Sequence, residues 1–217
     1  TKLAPEIYRA VAQHAGEAGL KVFVHQQSAS DMLDLISAGV DGFLHGRIGR
    51  DFTDELIERA VQSDVFVIPN LGLGELRREA IGEDQFLTPF LSQGLRESLS
   101  ASEIRQMQPE RDATNESELI AGFARIETGD LDLVLGTDAG AVPGHPFGYT
   151  GHRELEIYVR LGMSPMGALR SATSLAAKHL GLRGLGLLEP GKQASLLILN
   201  SAPISDIRNP RDIHSVY

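Results

Sequence analysis

Four polar residues stand at comparable places along the chain. His25 follows "LKVFV", His45 follows "DGFL", Asn70 follows "VFVIP" and Asp138 follows "LDLVLGT". Each closes a short, mostly apolar run of the kind that makes a buried strand. An acid in such a place is costly unless something pairs with it. Two imidazoles and a carboxylate on one sheet edge can hold Zn²⁺ or a similar divalent ion, because neutral imidazole nitrogen and carboxylate oxygen are both good donors to it. Asp138 has a second capacity: it can take the proton of a metal-activated water, whose pKa falls towards ~7. A lone strand-end histidine is more often a structural residue. The metal reading rests on three candidates, His25, His45 and Asp138, at the ends of strands in one array. Asn70 reads as a turn cap.

The elements between these residues place them on one edge. Residues 5–18 have helical spacing (Ile7, Val11, Ala15) and stop at Gly19. Strand 20–25 follows, then a helix over "SASDMLDLISAGV" with Ser28 or Ser30 as cap and Gly39 as stop. Strand 41–46 leads to a helix capped by Thr53, and 65–70 is the third strand. "NESELIAGFARIETG" is helical and precedes the fourth strand, "LDLVLGTD". Strand and helix in alternation predict an α/β fold with a parallel sheet, its strands buried on both faces. Ligands gather at the carboxyl ends of such strands. Residues 71–115 are polar and irregular, as functional lids are.

Beyond residue 150 come three helical segments: "HRELEIYVRLG", "SPMGALRSAT" with Ser164 as cap and Pro165 first in the helix, and "SLAAKHLGL" closed by Gly181. "GLGLLEPGKQASLLILN" reads as strand, Pro-Gly turn and strand, ahead of a Pro-rich tail. His14 and His214 are expected in solvent, and His179 near a helix C-terminus, where its charge favours the dipole. His145, between Gly144 and Pro146, receives no role. His152 and Glu154 open the helix after the Asp138 loop, near enough to touch substrate.

Composition sets the outer bounds. The chain has 217 residues, 42% hydrophobic, with a net charge of −9 and no cysteine. An acidic chain with no basic run is a poor fit for nucleic acid or an anionic membrane. Without cysteine there is no thiolate nucleophile or disulfide, and metal must be held by His, Asp, Glu or Lys. No stretch approaches the ~20 apolar residues of a membrane helix. No targeting segment is visible, so the expected location is cytoplasmic.

Residues 20–46, "LKVFVHQQSASDMLDLISAGVDGFLHG", resemble strands five and six of the amidohydrolase superfamily. "GTDAG", "GHRELEIYVRLGMSPMGALRSATSLAAKHLGL", "GLLEPGKQASLLILN" and "DIRNPRDI" extend the resemblance to the chain end. It is nearest to the imidazolonepropionase-like and Xaa-Pro dipeptidase-like enzymes. It implies a (β/α)8 TIM barrel, here its C-terminal half (strands five to eight, residues 1–184), with the C-terminal part of a small β-sandwich in 185–217. It also implies that His25 and His45 bind one or two divalent ions, zinc first. Asp138 would contact metal and handle the water's proton, and His152 would line the substrate pocket. Two features depart from the family: no His-X-His pair and no fourth-strand lysine ligand appear, and Lys2, in the lead-in to a helix, does not replace the latter. A smaller one is Ser195, where the family has Asp. The chain therefore reads as an interior-to-C-terminal portion of an enzyme.

The expected activity is hydrolysis of an amide or cyclic-amide C–N bond in a small molecule or dipeptide. The expected partners are that substrate and either a second copy of the chain or a complementing N-terminal half. The alternatives are a lactone or phosphoester substrate at the same site, or a catalytically inactive binding or assembly module. A phosphate cradle at "GTDAG" is disfavoured, because its glycine spacing fits no phosphate loop and no lysine follows.

Overall fold

The computed structural model describes residues 2–26, 28–46, 48–49, 51–73, 92–94, 97, 109–141, 145 and 147–217. Three strands, β1 (Phe23–His25), β2 (Gly42–Leu44) and β3 (Phe66–Ile68), form a parallel sheet in that order. Helices α1 (Pro5–Glu17), α2 (Met32–Ser37) and α3 (Asp54–Gln62) alternate with them as predicted. The expected fourth strand is reduced to one parallel bridge, Val67 to Leu133. Two residues on, the Leu135 amide donates instead to the Ser171 carbonyl at 3.1 Å, so the ladder is not continued. Most of the expected irregular stretch 71–115 lies outside the described residues.

The C-terminal region continues with α4 (Pro109–Gly129), α5 (Thr150–Arg160), α6 (Pro165–Ala172) and α7 (Ser174–His179). Several local signals act as read. Thr53 Oγ1 accepts the Leu56 amide at 3.3 Å, and Ser164 Oγ accepts the Gly167 amide at 3.0 Å, capping α3 and α6. Ser28 and Ser30 do not cap α2; their hydroxyls bond each other at 2.7 Å, and a 3₁₀ turn over Ala29–Asp31 leads into the helix.

The predicted hairpin around Pro190 does not form. β4 (Leu197–Leu199) pairs antiparallel with β5 (Ile213–Val216), the segment read as a tail. The ladder runs on through Leu196 and Tyr217, which exchange both backbone bonds. The Gln193 amide bonds the Gly184 carbonyl at 2.9 Å, leaving a wide loop where the first strand was expected.

Phe43, Phe52, Leu56, Val67, Phe123 and Tyr158 centre one core that joins α2, β2, α3, β3, α4 and α5. Each such side chain stabilises the fold by roughly 1.5–3 kcal/mol relative to exposure. β2 and β3 are buried on both faces, but β1, with no partner on its outer edge among the described residues, is only half-buried. The apolar stripe of α1 lies open: Ile7 is 49% and Val11 51% exposed. No helix among the described residues is long and apolar enough to cross a membrane.

At the amino ends of the strands, His179 departs from its expected role. It is buried, its ring packs on Phe66 at 4.6 Å, and its Nε2–H donates to Asp132 Oδ2 at 2.7 Å. Lys178 Nζ donates to Asp64 and Asp132 at 2.8 Å each. Hydrogen bonding from His179 first, and from Lys178 as well, holds the Asp132 carboxyl down at about 2. Its stabilising effect is therefore complete above the ordinary carboxylate range near 3.8 and is lost as pH falls through about 2. Asp132→Ala strands a buried imidazole N–H and is expected to cost about 2–3 kcal/mol in a urea melt at neutral pH.

Candidate metal centre

The strand exits are built alike. His45, Asn70 and Asp138 all adopt the left-handed conformation, with φ of 55°, 52° and 54°. For a non-glycine residue this costs on the order of 1–3 kcal/mol and persists only where the surroundings enforce it. Part of the enforcement is visible. Asn70 Oδ1 accepts the His45 amide at 3.2 Å, so Asn70 caps across the sheet rather than within its own turn. Ala139 N donates to Thr137 Oγ1 at 3.2 Å, and Ala141 N to the Asp138 carbonyl at 3.1 Å, closing a turn around Asp138. Gly136 lets this segment approach β3: a Cβ there would lie 2.5 Å from Ile68 Cγ2.

The side chains form a row. The His25 and His45 rings have centroids 4.4 Å apart, and His45 Nε2 lies 3.6 Å from Asp138 Oδ2. Burial, then the neighbouring His25, lowers the His45 pKa against the opposing pull of Asp138. That direction favours the neutral imidazole, whose nitrogen lone pair can serve a metal. The His45–Asp138 spacing is longer than a hydrogen bond. It falls between the ~3.3 Å expected of two donors at a tetrahedral angle on one zinc and the ~4 Å limit for donors on opposite sides, given bonds near 2.0–2.2 Å. The chemistry and spacing of this pair fit a divalent ion. The three donors are a row rather than a closed cluster, since they do not all meet within 4.8 Å.

A different triad does meet within 4.8 Å among the described residues: Asp64, Asp132 and His179. Lys178 Nζ already bridges its two carboxylates, so an ammonium takes the place a cation would need. We read it as an ion-pair network on the edge opposite His45.

His152 sits in the first turn of α5. It makes no hydrogen bond, ion pair or ring contact with the row among the described residues. Burial first, and then Arg211, lowers its pKa, and its Nδ1 is buried without a hydrogen-bond partner. Two further residues support the exits. His145 is buried, and its Nε2–H donates to the Thr137 carbonyl at 2.6 Å, one residue before Asp138. Glu154 is fully buried and accepts the Leu71 and Gly72 amides at 2.7 Å each. Burial raises its carboxyl to about 7 against the downward pull of those two N–H groups. No sequence signal marked His145. Glu154 was visible as a polar residue at a helix start, but its partners are about eighty positions away in the chain.

A cleft of about 770 Å³ is lined by Pro5 and Tyr8 of α1, Val24 and His25 of β1, and Asp34 and Leu35 of α2.

Comparison with solved structures places this geometry in context. The chain is 25% identical to a Xaa-Pro dipeptidase solved with methionine in its active site, covering 99% of this chain and 47% of that one, with a TM-score of 0.70. A putative prolidase from Bifidobacterium longum is 28% identical over 99% of this chain and 49% of its own, also at 0.70. Phenylurea hydrolase B, at 24% identity, 99% and 46% coverage and a TM-score of 0.69, shares the fold. The chain thus spans about half the length of the structures it matches. No curated protein matches it. The amidohydrolase family pattern matches residues 2–217. With His25, His45 and Asp138 set in a row and that match over nearly its whole length, the chain belongs to the amidohydrolase family.

Proposed function

We propose that this chain is the C-terminal half of a metal-dependent hydrolase of TIM-barrel type, carrying strands five to eight in residues 1–184 and part of a small β-sandwich in 185–217. The substrate class is an amide or cyclic-amide C–N bond in a small molecule or dipeptide. The observation that carries this reading is the row His25–His45–Asp138, with the two rings 4.4 Å apart and His45 Nε2 3.6 Å from Asp138. His25 and His45 would hold the metal, with Asp138 completing their side of the site. When bound, a divalent ion (zinc in our reading, one or two in number) polarises the scissile carbonyl and acidifies the attacking water. Asp138 takes the water's proton and returns it to the leaving amine. His152, in the first turn of α5, would line the substrate pocket. A lactone or phosphoester would use the same groups with a different leaving atom.

Elemental analysis after zinc-supplemented growth tests the reading. About one zinc or more per chain, in protein supplied with the missing ligands, supports an enzyme site. No zinc there favours the second reading, an inactive binding or assembly module.

The apolar surfaces bear on the partner. Ile7, Val11 and Leu20 flank an open groove on α1, the outer edge of β1 is unpaired among the described residues, and Leu197 and Val216 of the two-stranded sheet are 50% and 68% exposed. Open edges and contiguous apolar patches are association surfaces. In our reading a complementing N-terminal half, or a second copy, covers them. Light scattering on the chain alone is expected to give a mass above one chain, and addition of an N-terminal half to give a one-to-one complex. A folded, well-behaved monomer would count against both partners.

A further inference from the structure

Glu154 is a buried carboxylate that the hydrolytic chemistry above does not use, and its two bonds reach towards the proposed site. Both oxygens are engaged by the amides of Leu71 and Gly72 at 2.7 Å. Those residues follow Asn70 directly, and Asn70 is left-handed and accepts the His45 amide. Gly72 fits the carboxylate closely: a Cβ there would sit 2.9 Å from Glu154 Oε2 and 3.6 Å from His145 Cε1. Pro69 cannot donate a backbone hydrogen bond on the other side of Asn70. The turn after β3 is thus tied down by α5 rather than by its own strand.

We propose that Glu154 is a positioning residue: by holding the Leu71 and Gly72 amides it sets the turn at Asn70, and through Asn70 the backbone of His45. The consequence for metal binding rests on the reading of His45 as a ligand. The positional link itself does not. Glu154→Gln keeps the side-chain length but offers one acceptor oxygen for two amides. Asn70→Gly removes the carboxamide while keeping a residue at ease with positive φ.

Amide hydrogen exchange on the full chain, read at Leu71, Gly72 and His45, is the test. Glu154→Gln is expected to speed exchange at least about tenfold at all three while distant core amides, such as that of Leu56, keep their protection. Asn70→Gly is expected to speed His45 and leave Leu71 and Gly72 protected. In the completed protein both variants are expected to weaken zinc binding by about 10- to 100-fold, the range for groups that orient a ligand. If Glu154→Gln frees Leu71 and Gly72 but not His45, Glu154 only caps a loop and the proposal is overturned. If Glu154→Gln does not fold, Asn70→Gly decides: unchanged His45 protection overturns the proposal too. Zinc binding by neither wild type nor variants would sink the metal reading, while the exchange data would still judge the link.

Discussion

His45→Ala in the completed protein is expected to lower zinc affinity by more than about 100-fold and to abolish turnover. Groups that merely orient a ligand are worth about 10- to 100-fold, so losing a ligand sets a higher floor. His45 is the middle of the row, touching the His25 ring on one side and facing Asp138 on the other. Its removal therefore breaks both pairings at once. It should not unfold the protein, because the side chain is 25% exposed and lies at a strand exit. Alanine in the left-handed conformation adds a strain of about 1 kcal/mol that His45→Asn, a better αL residue, would avoid. Zinc affinity by competition with a chelator and circular dichroism on the same samples separate the two effects. Unchanged metal content with full turnover would remove His45 from the site.

The second large effect is in stability against pH. Glu154 has a carboxyl raised from 4.5 to about 7 by burial, so the folded state holds its proton more tightly than the unfolded one. Between those values the native chain binds more protons, and stability falls as pH rises. At 1.36 kcal/mol per unit, that loss amounts to about 3 kcal/mol. The groups facing the carboxylate are the Leu71 and Gly72 amides, which favour its charge, and the buried Tyr158 hydroxyl. Glu154→Gln removes the proton-linked loss and leaves one amide short of an acceptor, at about 1 kcal/mol. Urea melts should then cross: the variant is less stable than wild type near pH 5, and as stable or more so at pH 8. Parallel curves would show that Glu154 titrates normally. A variant equally stable at pH 8 yet looser at His45 would also separate positioning from global stability.

Local reading went well where the cause was local. The caps at Thr53 and Ser164 and the stops at Gly39 and Gly181, with φ of 92° and 71°, depend on a few adjacent atoms. Reading failed where a neighbour was required. The strand over "LDLVLGTD" is reduced to a bridge at Leu133, and the hairpin at Pro190 gives way to pairing with residues 213–216. A strand or an apolar stripe is stabilised by what packs beside it, and periodicity cannot say whether that partner is present.

The same division applies to the site. The residue types of His25, His45 and Asp138 and their order along the chain are set by the sequence alone, and alternation of strand and helix brings the ends of β1 and β2 to one edge. Only the tertiary structure decided that burial lowers the His45 pKa, that Asn70 reaches across to its amide, and that His145 and Glu154 lie beneath the exits. It also decided that His179 serves Asp132 on the opposite edge. Burial and cross-strand hydrogen bonds are properties of residues brought together from distant parts of the chain. Their energies exist only once the fold has removed water from between them.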